Sequence, residues 1–215
     1  MQPVFVLLDE TIGHMSGKAT LPDLEEVKNS IVPRRVFEGD AKDYRPYDVP
    51  NDEAAILNPM FKGCRYHYTG LHHDATGHPT EDADTCQNLM DRLFNKVDAH
   101  LDELESYEEY MLDDAEIMII AYGSVALSAR EAINRLRKEG VKIGMFRPIT
   151  LWPSPDKKIN EWCSKIEKTL VIELNMGQYI QEIERASGRR DFATLFKSNG
   201  RPIAPLEIIE KVKGL

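Results

Sequence analysis

Several kinds of chemistry find no foothold in this sequence. Its 215 residues hold three cysteines, Cys64, Cys86 and Cys163, and no C-x-x-C pair. An odd count argues against a disulfide framework and for reduced intracellular thiols. An iron–sulfur cluster held by these three residues alone is not expected, since such clusters take about four thiolates. No apolar run approaches the roughly 20 residues that cross a bilayer, and the longest, 117–122, has strand length. Met1 runs straight into 3–8 with no basic region before it, and Asp9 and Glu10 stand where a signal-peptide cleavage site wants small neutral residues. These features argue for a cytoplasmic protein without a membrane segment. G-x-G-x-x-G, the Walker lysine, H-E-x-x-H and G-x-S-x-G are all missing, which leaves dinucleotide binding, metalloprotease and serine hydrolase chemistry without support.

Positive charge is scarce in one half of the chain. The net charge is -9, but residues 1–116 carry 10 Lys/Arg against 25 Asp/Glu, whereas 117–215 carry 17 against 11. An acidic protein lacks the concentrated basic surface that phosphate backbones require, and the Arg189-Arg190 pair is too small to supply it. Nucleic acid is therefore not expected as a partner. The composition shift near 116 suggests a boundary, with 1–114 as one part and 115–215 as another.

Residues 2–8 read as a buried strand with no element before it, so Met1 is expected to open the later part of a larger architecture. Residues 9–85 hold half of the prolines and five of the six histidines, and read as a long irregular connection packed on a partner surface. From Thr85, a plausible N-cap, Met90, Leu93, Phe94, Val97, Leu101, Leu104, Tyr107 and Met111 recur at helical steps, predicting one amphipathic helix of about six or seven turns. Its distal part is strongly acidic, which opposes the helix dipole and fits either a solvated face or a docking surface for a basic partner.

Beyond 115 the pattern becomes regular. Strands are expected at 116–122, 141–149, 169–174 and 191–197, alternating with a helix marked by Ala129, Ala132, Ile133 and Leu136 and closed by Gly140, and with helices at 155–166, 178–187 and 205–213. Such alternation predicts an α/β fold with a doubly wound, mostly parallel sheet, preceded by an extended segment and the long helix.

Two stretches carry candidate site residues. The turn at Gly123 and Ser124 lies between a strand end and a helix start, where free amides attract anions, although one glycine fits a tight turn with a serine cap at least as well. The segment 65–74 gathers imidazole, hydroxyl and carboxylate groups. Its His72, His73 and Asp74 suit a packed polar loop, a composite active site or a metal site, and adjacent histidines on a strand point to opposite faces. His14 after Gly13 is a further loop histidine. Of the thiols, only Cys86 sits at a helix start that could activate it.

Five segments, 8–15, 66–80, 121–124, 146–153 and 173–178, together resemble the alpha subunits of 2-oxoacid:ferredoxin oxidoreductases, most closely the branched-chain and 2-oxoglutarate types. The similarity runs in order along essentially the whole chain. It implies the second half of such a subunit: the end of a pyrimidine-binding-type domain and connection over 1–114, then a transketolase C-terminal-like domain over 115–215. It further implies CoA-dependent oxidative decarboxylation of a 2-oxoacid, 3-methyl-2-oxobutanoate or 2-oxoglutarate, with electrons passing to ferredoxin. Thiamine diphosphate, Mg and iron–sulfur clusters would belong to the full complex of a thiamine-binding beta, a gamma and a ferredoxin-like delta subunit, and none to this chain alone. No residue is assigned to catalysis; His14, His72, His73, Asp74 and Arg147 are expected to face an active-site or subunit interface. The same fold also suits a non-catalytic interaction or anion-binding module.

Overall fold

The structure, a computed structural model, describes residues 4–67 and 69–215. In chain order its helices and strands are α1 (Glu10–His14), α2 (Leu24–Ser30), β1 (His72–His73), β2 (Pro79–Thr80), α3 (Ala83–Asp98), α4 (Leu101–Leu104), β3 (Tyr107–Tyr110), β4 (Ile117–Ala121), α5 (Val125–Lys138), β5 (Ile143–Pro148), α6 (Asp156–Lys165), β6 (Lys168–Glu173), α7 (Ile180–Ser187), β7 (Ala193–Phe196) and α8 (Pro205–Lys213). The chain forms two compact units, one built around Ser16–Leu101 and one made of Leu7–Met15 with Asp102–Leu215.

The second unit is the α/β fold that the alternating pattern predicts. Its sheet runs β3-β5-β4-β6-β7, with every pairing parallel except β3 against β5. Strands β4, β5 and β6 are nearly continuous apolar runs because both faces are covered. On one face Ile119, Met145, Leu170 and Ile172 pack with Ala129, Ile133 and Leu136 of α5 and Ile208 and Val212 of α8. On the other, Met118, Ile120, Phe146 and Val171 pack with Ile159 and Trp162 of α6 and Ile183 of α7.

Two expectations for the first half need correction. Residues 4–8 pair with no strand of the described chain, and their apolar side chains are exposed; residues 2 and 3 lie outside the described residues. An apolar run becomes a buried strand only beside another backbone, and no described strand supplies one. The predicted long helix is also shorter. It begins one residue after Asp82, whose carboxylate accepts the Thr85 N–H at 2.8 Å, so Asp82 and not Thr85 is the cap. It stops at Asp98, and the acidic stretch beyond α4 becomes the edge strand β3.

The switch from helix to strand is a switch of period. Tyr107 stacks on Phe146 at 5.5 Å within one core layer, while Tyr110 packs against the other, the two-faced alternation of a strand. The acidic groups are correspondingly paired. Glu108 meets Arg130 and Arg147, and Glu109 accepts the Trp162 indole N–H at 2.8 Å. A solvated helical face is thus replaced by a strand whose carboxylates fasten it to α5, β5 and α6.

The first unit is mostly irregular, as expected from its prolines. The β1–β2 hairpin pairs His72 with Thr80 and His73 with Pro79. A buried knot forms around Asn58, whose amide bonds both the N–H and C=O of Phe37, at 2.8 and 3.1 Å. Tyr44 donates to the Ile56 carbonyl and accepts from the Asn58 N–H, both at 2.9 Å. Such side-chain bonds satisfy backbone groups that have no ladder partner.

Candidate functional site

The second unit offers the standard location for a site on an open α/β sheet. From β4 the chain passes outward to β5, and from β6 it passes the other way to β7, so the winding reverses between β4 and β6. Crevices at the carboxyl ends of such strand pairs are where ligands bind. Here those ends bring Tyr122-Gly123-Ser124 beside Glu173-Leu174-Asn175.

On one face of the switch point lies a closed polar network. Glu173 is 1% exposed, and its carboxylate accepts the backbone N–H groups of Tyr179 and Ile180 and the Tyr122 hydroxyl, each at 2.9 Å. It therefore satisfies orphan donors at the start of α7 and sets a negative charge at the positive end of that helix. Asn175 donates to the Tyr122 oxygen at 2.9 Å and accepts the Gly177 N–H at 2.8 Å. Burial, then the neighbouring carboxylate, pushes the Tyr122 phenol well above its ordinary range, so it stays a proton donor to Glu173. The network ties the end of β6 and the Tyr122 turn to the start of α7.

On the other face is a mainly apolar cavity of about 320 Å³, lined by Ile12, Met15, Leu127, Leu174 and Ile203, with Ser124 at its edge. The turn itself departs from a simple serine cap. Gly123 adopts a positive φ of 59°, which only glycine tolerates freely, and the Ser124 hydroxyl donates to the Asp9 carboxylate instead of capping α5. A carboxylate of this chain thus sits where an external anion was expected to approach.

The other candidate residues fall in both units. In the first, Asp74 organises its own turn: Oδ1 accepts the Thr76 N–H at 2.9 Å, the Thr76 hydroxyl at 2.6 Å and the His78 N–H at 3.1 Å. The Thr76 hydroxyl bond is the main reason its carboxyl lies below the usual range. His73 directly precedes it, its Nε2 2.8 Å from the Thr69 hydroxyl and its ring stacked on Tyr47 at 5.7 Å. His72 points away to solvent, as alternation requires. In the second unit His14 is exposed at the end of α1, and Arg147 donates to Glu108 at 3.2 Å while its Nε is buried without a partner. His73 and Asp74 therefore share one loop, whereas His14 and Arg147 belong to the other unit.

Among the described residues no group of three or more His, Cys, Asp or Glu could hold a metal ion. All three cysteines are free, and burial pushes the Cys163 thiol up to about 11. Three free cysteines fall short of the about four thiolates that an iron–sulfur cluster takes.

Two important residues escaped sequence reasoning. Glu173 closes an apolar strand and precedes a helix by a few residues, a pattern that could have marked it as a distant cap. Arg92 is the single buried residue of α3, while Met90, Leu93 and Phe94 of the expected apolar stripe remain exposed. With Thr85, Asn88 and Leu89 it shares one helical face at steps of three and four.

Comparison with known proteins accounts for the arrangement. Residues 115–208 match the family described as pyruvate:ferredoxin oxidoreductase core domain II. The chain is 34% identical over 215 residues to the 2-oxoglutarate synthase subunit KorA of Methanothermobacter marburgensis, covering 99% of this chain and 56% of the relative. It is 31% identical over 175 residues to the ketoisovalerate oxidoreductase subunit VorB of Methanothermobacter thermautotrophicus, covering 74% of this chain and 50% of the relative. The chain belongs to the 2-oxoacid:ferredoxin oxidoreductase alpha-subunit family. It spans about half the length of the curated relatives it matches. The structure of 2-oxoglutarate:ferredoxin oxidoreductase from Magnetococcus marinus, solved with 2-oxoglutarate, coenzyme A and succinyl-CoA bound, superposes with a TM-score of 0.74 at 26% identity. That match covers 86% of this chain and 32% of the other. Within the family match lies the whole switch point between β4 and β6. Among the described residues no helix is long and apolar enough to cross a membrane.

Proposed function

We propose that the chain forms part of the alpha subunit of a cytoplasmic, CoA-dependent 2-oxoacid:ferredoxin oxidoreductase, which converts 2-oxoglutarate or 3-methyl-2-oxobutanoate to the acyl-CoA and passes electrons to ferredoxin. The observation that carries this reading is alignment over 99% of the chain with a 2-oxoglutarate synthase subunit. Thiamine diphosphate with Mg would supply the carbanion chemistry and iron–sulfur clusters the electron path. Three cysteines and, among the described residues, no group of three or more His, Cys, Asp or Glu support assigning those groups to other parts of the complex, on thiamine-binding beta, gamma and ferredoxin-like delta partners. The part played by this chain is structural: the α/β unit supports subunit contacts, and His14, His72, His73, Asp74 and Arg147 face an active-site or subunit interface. The isolated chain is expected to be inactive.

The test is anaerobic purification of the native complex through this chain, followed by CoA-dependent viologen reduction with pyruvate, 2-oxoglutarate and 3-methyl-2-oxobutanoate. Reduction with one of the two named substrates supports the reading. An intact complex, with clusters and added thiamine diphosphate, that reduces viologen with none of them overturns it in favour of a non-catalytic interaction module. The site assignment has its own test: His73→Ala should lower turnover in a fully assembled complex, and unchanged specific activity would remove His73 from the interface.

A further inference from the structure

The first unit contains a cavity of about 370 Å³ whose wall includes Tyr47, His73, Asp74, Asn88 and Arg92. Arg92 is 6% exposed, buried more deeply than any other residue of its helix. Its hydrogen bonding is modest for a buried guanidinium: Nη1 donates to the Glu53 carbonyl at 3.1 Å. Among the described residues no carboxylate forms an ion pair with it. The Glu53 carboxylate pairs with Arg35 at 2.7 Å, and Asp74, on the same cavity wall, spends Oδ1 on its own turn.

A guanidinium carries five N–H donors in a planar fork and cannot shed its charge to escape burial. Burying that charge against a single neutral acceptor is costly, and proteins ordinarily place a carboxylate or an anionic ligand opposite it. Here the space opposite is a cavity. One side is the face of α3 that carries Asn88 and Arg92, a second amide donor one turn before the guanidinium. Another is the stacked pair of Tyr47 and His73, with His73 held by Thr69. The volume suits a small molecule or one terminal group of a larger one.

We propose that this cavity is a binding site for an oxyanion, a phosphate or a carboxylate group clasped by Arg92 with Asn88 beside it. Binding would give the Arg92 guanidinium an anionic partner held by a fork of charge-assisted hydrogen bonds. The proposal stands on the geometry of the first unit and is independent of the oxidoreductase reading.

The test titrates the 215-residue chain with inorganic phosphate and, separately, with succinate, at constant ionic strength. Heat is followed by calorimetry, and the Arg92 side-chain N–H resonances by NMR. The expected result is saturable binding of one of the two probes at one site per chain, with the Arg92 resonances moving along the same isotherm. Arg92→Gln should weaken that binding roughly ten- to hundredfold, the factor for a lost charge-assisted contact. Phosphate binding alone would name a phosphate site, and succinate binding alone a carboxylate site. Absence of saturable binding by either probe overturns the proposal, as does binding that leaves the Arg92 resonances still. Should Arg92→Gln fail to fold, the wild-type resonances and Arg92→Lys, which keeps the charge but loses the fork, decide the matter.

Discussion

Replacing Glu173 by Gln isolates the contribution of the carboxylate at the end of β6. The two side chains have nearly the same shape, so packing is preserved. Glu173 receives three hydrogen bonds, two from the first N–H groups of α7 and one from the Tyr122 hydroxyl. Gln keeps one acceptor oxygen and turns the other position into a donor, which then faces a backbone N–H or the Tyr122 hydroxyl. One charge-assisted bond is lost, the others weaken to neutral bonds, and a buried donor is left unsatisfied at a site 1% exposed. With charge-assisted bonds contributing about 1.5–3 kcal/mol and neutral ones about 1 kcal/mol, the cost should be about 3–4 kcal/mol. Both tryptophans, Trp152 and Trp162, lie in the α/β unit, so their fluorescence reports its unfolding. For a urea slope of about 2 kcal/mol/M the midpoint should fall by nearly 2 M. Tyr122→Phe should cost about 1 kcal/mol, and the double mutant less than the sum, since one bond is shared. A loss below about 1 kcal/mol for Glu173→Gln, in a protein with unchanged slope, would refute the claim that this carboxylate holds the β6–α7 connection.

Other expectations rest on single observations. Gly144→Ala places a Cβ 2.3 Å from the Met111 carbonyl oxygen, a backbone atom that cannot swing aside, so it should destabilise the α/β unit by about 3 kcal/mol or prevent folding; an equally stable variant would show that β3 can move away from β5. Cys163 should resist alkylation at pH 8 in the native protein and react on unfolding, because burial raises its thiol to about 11; rapid native labelling at a rate typical of an exposed cysteine would contradict that burial. The same shift makes stability depend on alkaline pH. A group raised in the folded state contributes fully below its unfolded value, here 9.0, and that contribution is lost as pH rises through about 11, a change on the order of 2–3 kcal/mol. Urea midpoints of Cys163→Ala should therefore fall less between pH 9 and 11 than those of the wild type, with Tyr122 and Tyr179, both raised by burial, adding to the residual fall in both; parallel pH profiles would exclude the effect.

The strands and helices after 115 were legible because their signals are local. Apolar runs of strand length, helical spacing at Ala129, Ala132, Ile133 and Leu136, and Pro205 at a helix start each declare an element without reference to the rest of the chain. Alternation of such elements then leaves few topologies, and a mostly parallel sheet is the commonest. The resemblance to oxidoreductase alpha subunits was likewise readable, because short segments in order survive as letters.

Where local signals conflict, only tertiary partners decide. Tyr107 and Met111 continue the helical spacing of α3, yet Tyr107–Tyr110 is a strand, because the free edge of β5 offers backbone bonds and two core layers offer room for Tyr107 and Tyr110. Propensity yields to such pairing. Residues 4–8 show the converse, an apolar run with strand character and no described backbone to pair with. The site residues follow the same rule. His72, His73 and Asp74 could be named from composition, but which of them turns inward depends on the hairpin register, and Glu173 and Arg92 gain their meaning from groups far along the chain. A side chain's identity is written in the sequence; whether its charge is buried, and against what, is settled by the packing of distant segments around it.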